Sequence, residues 1–498
     1  GAAQKNIIDP SPDPRVLSQD YPSKFNLNTN LVHLNMDWDM SWATIKSISA
    51  YQYLSHRQQE DGDRSTYSVI KRYDHLAAWN TGLKNFTQEF DLVSHDNSKF
   101  SWITGLFFMH QKSTQFVAEF QGFTPPNLNQ IVPADVQTNP PADMNYGNDS
   151  RVTKKSFAAF AQGTYQFTDA VGLTLGVRYN YDNYKLFSKN FSAFGISSVN
   201  RESTTRVPTF RGQFDYKVTP VNLLYASISR GYKPGGVNGT GQRAFTHNSF
   251  RSETNTAYEI GSKNTFLDNT VRVNLAGFYY NYKNMQYIAT DPVPFVGAIE
   301  NIPSVHVWGG EAEVSYVSPD GNLRLDGNLS LENGEVRGSY KTLNSTIVQA
   351  IENTNPNCAF GGAYYNPACW AAVIAAAQDI GGKRPPKMPT VAGSVSASYT
   401  FQTSIGDLTP RVQYVYRGSF WSRIFAEPAL DKVPAYNLVN LNLNYVPSNS
   451  NFAVSLSITN VADVAGVNSR YTDPYGIGST SQQYIPPRQF LAKVSYQF

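Results

Sequence analysis

Apolar and polar residues alternate with a period of two along several segments, most regularly at the end of the chain. Residues 490–498 read FLAKVSYQF. Successive side chains of a strand point to opposite faces, so this pattern predicts a strand with one apolar and one mostly polar face. A soluble sheet can show the same pattern, but a transmembrane barrel strand with its last aromatic at the membrane interface fits it better. The apolar face carries Phe490, Ala492, Val494, Tyr496 and Phe498.

Two further segments alternate in the same way. Residues 439–445 read VNLNLNY and residues 452–459 read FAVSLSIT. A packed soluble core would have to satisfy each inward asparagine, whereas a water-filled lumen solvates them. The alternation therefore favours strands that face lipid on one side and water on the other.

Short turns and long connections alternate along the chain. About eight short polar or Gly/Pro-bearing turns are each flanked by runs rich in Tyr, Phe, Val, Thr and Leu, which predict hairpins. The turns lie near Asp37–Ser41, His95–Lys99, Thr168–Ala170, Val218–Val221, Leu267–Thr270, Ser318–Asn322, Ser404–Asp407 and Pro447–Asn451. The longer segments include Gln121–Arg151, Gly235–Ser252, Asn344–Lys387 and Val461–Gln483. Short turns at one end and long loops at the other are typical of outer-membrane barrels.

The strand count bears on domain organisation. The turns imply about sixteen strands, and the last strand makes about seventeen, whereas single-chain bacterial barrels have even numbers. We therefore expect residues 1–498 to form one N-terminally incomplete, all-β antiparallel barrel domain. The full barrel would have about 22 strands, about five of them missing from the front. A miscount by one, which would give a self-contained barrel of about 16 or 18 strands, is the alternative.

Composition agrees with a barrel. The chain has 31 Tyr and 29 Phe but only 16% charged residues, and its mean hydropathy is −0.38. The longest apolar run, Cys369–Ala377, is too short for a membrane helix, and a closed barrel is the other way to satisfy a backbone in lipid. The net charge of +3 with dispersed basic residues does not suggest nucleic acid as a partner.

Residues 344–387 are expected to form a long extracellular loop. It contains both cysteines, Cys358 and Cys369, and their closeness favours a disulfide in an oxidising compartment. Two free thiols are the alternative, and metal binding is less favoured because no histidine lies nearby. Residues Asn366–Gly381 predict one short helix, capped by Asn366 and ended by Gly381.

Motifs for enzymatic chemistry are missing from the sequence. The seven histidines lack the spacing of metal ligands, there is no G-x-S-x-G motif, and the Gly-rich stretches lack the context of a phosphate loop. We expect no enzyme activity, no catalytic, metal or cofactor-binding site, and no cofactor.

Several motifs occur in one order along the chain. Residues 224–238 read LYASISRGYKPGGVN, residues 253–263 read ETNTAYEIGSK, residues 308–314 read WGGEAEV and residues 458–463 read ITNVAD, with a weaker match, GVRYNYD, at 176–182. Together they resemble the barrel domain of TonB-dependent outer-membrane receptors. The motif residues with a structural role are Arg230, Gly231, Tyr232, Lys233, Pro234, Gly235, Gly236, Tyr258, Glu259 and Gly261.

Elementary chemistry suggests what these motif residues do. Gly231, Gly235 and Gly236 permit tight backbone geometry where a strand leaves the membrane. Pro234 ends regular pairing because it has no amide hydrogen. Arg230, Lys233 and Glu259 are expected to form charge pairs in the lumen or at the rim, or to contact an internal plug.

The resemblance implies a receptor in the bacterial outer membrane. Such receptors take up a scarce nutrient, most often a ferric siderophore, and TonB drives import through a box that precedes a plug domain. Neither box nor plug is in this sequence, so plug and first strands would come from a missing segment or another chain. Partners would be outer-membrane lipid, TonB and a nutrient whose identity and contact residues the sequence does not give. Residues implied as the C-terminal assembly signal are Phe490, Val494, Tyr496 and Phe498.

Two other functions remain open at this point. One is a passive, porin-like diffusion channel, which needs no plug. The other is a surface interaction or structural protein that uses the barrel only as an anchor.

Overall fold

One large antiparallel sheet dominates the computed structural model, which describes residues 13, 15–16, 23–61, 75–95, 99–121, 144–192, 195–239, 245–291, 296–358, 366–472 and 480–497. Within these residues the sheet has 17 strands, as the turn count predicted, and strands make up 73% of the residues described. In chain order they are β1 Lys24–Asp39, β2 Ala43–Asp61, β3 His75–Ser94, β4 Phe100–Gln121, β5 Met144–Gln166, β6 Val171–Ser192, β7 Gly195–Thr219, β8 Asn222–Lys233, β9 Glu253–Phe266, β10 Val271–Asp291, β11 Val296–Val317, β12 Leu323–Val336, β13 Val391–Tyr399 with Phe401–Thr403, β14 Gly406–Arg417, β15 Tyr436–Pro447, β16 Phe452–Thr459 and β17 Gln489–Tyr496.

Each strand pairs with the strands that precede and follow it in the sequence. Hairpins with strongly twisted neighbours curl such a meander into a barrel wall. Within the described residues, β1 pairs only with β2 and β17 only with β16, and every residue of both strands is exposed. The described wall therefore has two free edges.

The short turns lie at one end of the sheet, the turn end, and the longer connections at the other, the loop end. The predicted turns are confirmed, except that residues 96–98 lie outside the described part. The predicted loop Gln121–Arg151 is wrong at its C-terminal side, because β5 begins at Met144 and its pairing with β4 continues to Phe120.

Several strands are far longer than a membrane requires. A tilted barrel strand crosses a bilayer in about 9–11 residues, whereas β6 has 22 residues and β7 has 25. The wall therefore continues beyond the membrane at the loop end. There the β6–β7 connection is short, so strands as well as loops extend from this end.

The two faces of the sheet differ as the alternation predicted. On β6, Leu175 and Val177 lie on the outward face and are 59% and 65% exposed. Thr174 and Asn180 lie on the inward face and are buried. Thr174 shares a 2.8 Å hydrogen bond with Thr164 of β5. An apolar outward face and a hydrogen-bonded polar inward face match a wall between lipid and a lumen.

In the described parts of the loop-end connections there are three α-helices: α1 Ser345–Thr354, α2 Pro367–Ala375 and α3 Pro428–Asp431. Asn366 caps α2 by accepting from the Ala368 amide at 2.9 Å, as predicted. The predicted end at Gly381 is wrong, because Gln378 and Asp379 pair with residues 341–342 in a small sheet. In the part of the chain that the structure describes, no helix has the length and apolar character needed to cross a membrane.

Candidate functional site

A tyrosine and a glutamate join the two motif strands, β8 and β9, on the inward face. The Tyr225 hydroxyl donates to Glu259 Oε1 at 2.6 Å, and the ammonium of Lys263 lies 5.9 Å from the centre of the Tyr225 ring. Gly261 lies opposite Tyr225 in the register. A Cβ atom on Gly261 would come within 2.6 Å of the Tyr225 hydroxyl and of the Leu275 carbonyl oxygen. This motif glycine therefore makes room for the inward tyrosine.

The chain turns inward where β8 ends. The Tyr232 hydroxyl donates to Asp182 Oδ2 at 2.6 Å, and the Gly235 amide donates to the Thr205 hydroxyl at 3.1 Å. Asp182 and Thr205 are both buried on the inward face of the wall. The motif thus directs the β8–β9 connection over the lumen.

Two of the three predicted motif glycines allow a close backbone approach. A Cβ atom on Gly235 would lie 2.7 Å from the Phe250 carbonyl oxygen, and one on Gly236 would lie 2.5 Å from the Phe250 ring. Gly231 differs, since a Cβ there would meet nothing within 4 Å.

The remaining motif residues lie around this bend. Pro234 accepts at its carbonyl from Gln286 Nε2 at 2.9 Å, and Tyr258 lies on the outward face, 6.3 Å from the Tyr279 ring. The described residues include no ion-pair partner for Arg230 or Lys233. The charge pairs expected among Arg230, Lys233 and Glu259 are therefore not seen in this part of the chain.

A buried glutamate fixes the β8–β9 connection to β11. Both the amide and Nδ1 of His247 contact the carboxylate of Glu300, which is 4% exposed. Asn238 spans the same two segments, because its side chain donates to the carbonyls of His247 and Ile299 at 2.8 and 2.9 Å. The connection is therefore fixed to the wall rather than extended away from it.

A disulfide lies at the centre of the β12–β13 connection. Cys358 and Cys369 are bonded, with their Cα atoms 5.1 Å apart, and both are buried. They pack with Leu343, Val348 and Val373 in an apolar cluster that α1 and α2 share. Trp370 and Phe245 lie against this cluster, so Trp370 helps to pack the loop on itself. Three further aromatic residues of this loop, Phe360, Tyr364 and Tyr365, lie outside the described residues.

Buried polar groups fix the β14–β15 connection onto α1. Arg423 Nε donates to Asp431 at 2.6 Å, and Asp431 is fully buried. Arg423 Nη1 donates to the Thr346 hydroxyl at 3.2 Å. Asn344, the N-cap of α1, also donates to Glu427. Two connections that are far apart in sequence are therefore held as one unit.

These connections cover the inward side of the loop end. Val305 and Val336 come from the wall, while Ile380 and Ile424 come from the β12–β13 and β14–β15 connections. All four are buried in one cluster. We call residues 234–252, 337–390, 418–435 and 460–488 the loop cap, because their described parts form a packed surface over one side of the mouth.

Residue 15 also reaches the loop cap. Arg15 Nη1 donates to Asp463 Oδ1 at 2.9 Å, and the Arg488 amide donates to the same oxygen at 2.8 Å. The hydrogen bond from the backbone amide of Arg488 is the main reason that the pKa of Asp463 lies below its usual value. This bridge brings the start of the described chain next to the ends of β16 and β17.

The predicted assembly residues lie on the outward face of β17. Phe490, Val494 and Tyr496 are exposed, and the Tyr496 ring lies 4.7 Å from that of Phe452 on β16. Phe498 lies outside the described residues.

The family model for the TonB dependent receptor-like β-barrel matches residues 3–461. The chain belongs to this family. It is accordingly a transmembrane β-barrel of the bacterial outer membrane, and its loop end is the extracellular end.

Individual relatives of this receptor barrel are distant. The Metal-pseudopaline receptor CntO of Pseudomonas aeruginosa is 24% identical over 338 residues, which are 66% of this chain and 39% of that protein. The Pesticin receptor of Yersinia enterocolitica is 25% identical over 180 residues, which are 36% of this chain and 26% of that protein. This chain thus spans well under half the length of these curated relatives.

Solved structures show the same fold. The ferric yersiniabactin uptake receptor FyuA from Yersinia pestis has a TM-score of 0.73 at 16% identity and covers 99% of this chain, which covers 63% of FyuA. The siderophore receptor PiuA from Acinetobacter baumannii has a TM-score of 0.65 at 17% identity. It covers 95% of this chain, which covers 64% of PiuA.

Sequence reasoning missed the residues that hold this receptor's loop cap. Asp182 is the last residue of the motif GVRYNYD. The motif predicted the strand, but it did not predict the hydrogen bond from Tyr232 to Asp182. Arg423 and Asp431 lie in no motif, and a separation of eight residues does not by itself predict an ion pair. Within the described ranges, no three His, Cys, Asp or Glu side chains are grouped to hold a metal.

Proposed function

We propose that the whole protein is an outer-membrane receptor for TonB-dependent, energy-coupled uptake of a scarce nutrient, with a ferric siderophore as the first candidate. The packed loop cap carries this proposal. A packed surface of loops over the mouth suits the binding of a bulky ligand, whereas passive diffusion requires an open mouth. We also propose that the protein has no enzyme activity.

The relatives support a metal chelate as the ligand class. Their names refer to metal-pseudopaline and ferric yersiniabactin. Residues 337–390 carry five cationic and two anionic side chains, so this part of the cap suits an anionic chelate. The cations are Arg337, Lys341, Lys383, Arg384 and Lys387.

We further propose that additional strands complete the wall between β1 and β17. The bridge from Arg15 to Asp463 supports this. The chain from residue 16 to residue 24 can span at most about 29 Å. Five added strands would need six interstrand spacings, which also amount to about 29 Å. These strands, a plug that fills the lumen and a TonB box would come from a further segment or another chain.

Ligand retention tests the receptor function. The full-length protein, purified in detergent, would be mixed with iron-loaded siderophores from iron-limited culture medium and analysed by native mass spectrometry. We expect about one iron complex per protein molecule, and no comparable adduct with the iron-free pool. Equal retention from both pools, or none from either, would contradict the proposal.

Conductance separates the receptor from a passive pore. In a planar lipid bilayer, a plugged receptor should give no stable open channel. Long-lived openings from the full-length protein would instead support the porin-like alternative.

A further inference from the structure

The part of β7 nearest the loop end is paired on one side only. Its pairing with β6 runs without interruption from Tyr216 to Gly195, whereas its pairing with β8 begins only at Phe210. Among the described residues, no strand pairing or backbone hydrogen bond reaches residues 196–208 from the other side. We call this unpaired side of residues 196–208 the β7 edge.

The register shows which backbone groups point to the β7 edge. The amide of Lys217 donates to the carbonyl of Ala170, which directly precedes β6, at 2.8 Å. Backbone groups of successive strand residues point to alternate sides, so the odd-numbered residues of β7 bond to β6. Pro208 agrees with this assignment, because proline has no amide hydrogen and is confined to strand edges. The amides that point to the β7 edge belong to Ile196, Ser198, Asn200, Glu202, Thr204 and Arg206.

The chain that follows β8 leaves this edge because it bends inward. The amide of Gly235 donates to the hydroxyl of Thr205, on the inward face of β7. A Cβ atom on Gly239 would lie 3.1 Å from Oγ of Ser188, which is buried on β6. The β8–β9 connection therefore crosses the inward side of β7 and reaches β6, and it does not continue the ladder.

The β7 edge lies outside the membrane. Phe210 and Tyr258 are on the outward face and are 39% and 46% exposed, and outward aromatics of this kind form the girdle at the membrane interface. Residues 196–208 lie on the loop-end side of Phe210, in the extracellular space. A row of unpaired backbone groups there is a template for pairing with another chain.

A second copy of this receptor does not fit the β7 edge. Two copies in one membrane have their β7 strands at the same height and running in the same direction. A second β7 beside this edge would continue toward the turn end into the position of β8, which pairs with β7 from Phe210 to Thr219. An extended segment that ends above Phe210 meets no such obstacle.

We propose that the β7 edge binds an extended segment of a separate extracellular protein, which adds one antiparallel strand to the sheet. Strand addition of this kind is a general mode of peptide recognition, in which main-chain hydrogen bonds give affinity. Antiparallel pairing continues the pattern of the wall and is slightly more stable per residue than parallel pairing.

Charged side chains on the outward face define the register of the added strand. Glu202 and Arg206 are both exposed, on either side of Thr204. Arg206 lies over the ring of Tyr181 and has no ion pair to another residue that the structure describes. Opposite charges in facing positions stabilise a strand pair. The segment should therefore carry an acidic residue opposite Arg206 and, four positions later, a basic residue opposite Glu202.

A synthetic peptide tests the main-chain pairing on the full-length receptor in detergent. The probe is an extended peptide of about nine residues, about 30 Å long, rich in threonine and valine, with aspartate four positions before lysine. Thr204→Pro removes one amide hydrogen from the edge and no bond to β6, so the peptide should bind roughly tenfold more weakly. Thr204→Val keeps the amide and is the matched control, which should keep its affinity.

A charge exchange tests the register. The receptor with Glu202→Lys and Arg206→Glu should prefer, by roughly tenfold, a peptide in which aspartate and lysine have changed places. The unaltered receptor should show the reverse preference. Breaking the exposed pair of Glu202 with Lys185 should change stability little.

Amide exchange in the free receptor tests whether the edge is open. The amides of Glu202 and Thr204 should exchange faster than those of Arg201 and Ser203, and the peptide should slow them. Equal protection without peptide would show that the edge is already paired and would overturn the proposal. So would absence of peptide binding, or equal binding of both peptides to both receptors. If Thr204→Pro does not fold, by the heat-dependent gel shift of barrels, the charge exchange decides.

Discussion

Arg423 and Asp431 form a buried ion pair within one extracellular connection, with 2.6 Å between Nε and the carboxylate oxygen. Asp431 is fully buried, and the side chain of Arg423 is 18% exposed. Removing one partner of a buried pair leaves an uncompensated charge, which costs about 3–5 kcal/mol. The pair therefore stabilises the β14–β15 connection against α1.

We predict that Asp431→Asn loosens this part of the loop cap. Amide hydrogen exchange should rise in residues 418–435 and 344–348, because Arg423 also contacts Thr346. Glu335→Gln, which breaks the exposed pair with Arg337, is the matched control and should change exchange little. Unchanged protection in Asp431→Asn would show that the ion pair does not hold the cap.

Gly261 and Gly231 should respond differently to the same substitution. Gly261→Ala places a methyl group against Tyr225 and the Leu275 carbonyl, and overpacking of this kind costs about 1–3 kcal/mol. Gly231→Ala meets no neighbour and is the control. The temperature at which the folded gel band disappears should fall only for Gly261→Ala, and equal behaviour of the two variants would contradict the assigned close approach.

The disulfide should stabilise the cap without affecting the barrel. Closing a loop of this length contributes about 2–3 kcal/mol, so Cys358→Ser combined with Cys369→Ser should speed proteolysis within residues 345–375. The melting of the barrel should stay the same. A lower barrel melting temperature would mean that the cap and the wall unfold together.

Asp379 gives the cap a sensitivity to acid. Ser339 donates to this carboxylate, as do the amides of Gly381 and Tyr340, and these bonds lower the pKa of Asp379 below its ordinary 3.8. Because the folded pKa is the lower one, its stabilising contribution is complete above pH 3.8 and is lost as the pH falls through the folded value.

Asp379→Asn should remove this acid response. At neutral pH the variant should exchange the Tyr340 and Gly381 amides faster than the unaltered protein. Below the folded pKa of Asp379 the two proteins should converge. A difference that persists unchanged into strong acid would contradict the role of this carboxylate.

The wall was predictable from sequence, because strand periodicity is local. The alternation at residues 439–445 and turns such as Leu267–Thr270 gave both the faces and the strand count. The extension of β5 to Met144 was not predictable, since polar residues outside the membrane lose the alternating pattern although pairing with β4 continues.

The loop cap was only partly predictable. The cap of α2 at Asn366 depends on neighbouring residues and was read correctly. Its end was not, because the pairing of Gln378 and Asp379 with residues 341–342 spans a long loop. The Arg423–Asp431 pair depends on burial, which no local pattern encodes.

The dependence of uptake on the proton gradient tests the central claim most directly. Cells that express the full-length protein would receive the radioactive iron complex identified by the binding experiment, with and without a protonophore. We predict that surface binding remains and that accumulation stops when the gradient collapses. Accumulation at an unchanged rate in de-energised cells would contradict energy-coupled transport and support a passive pore.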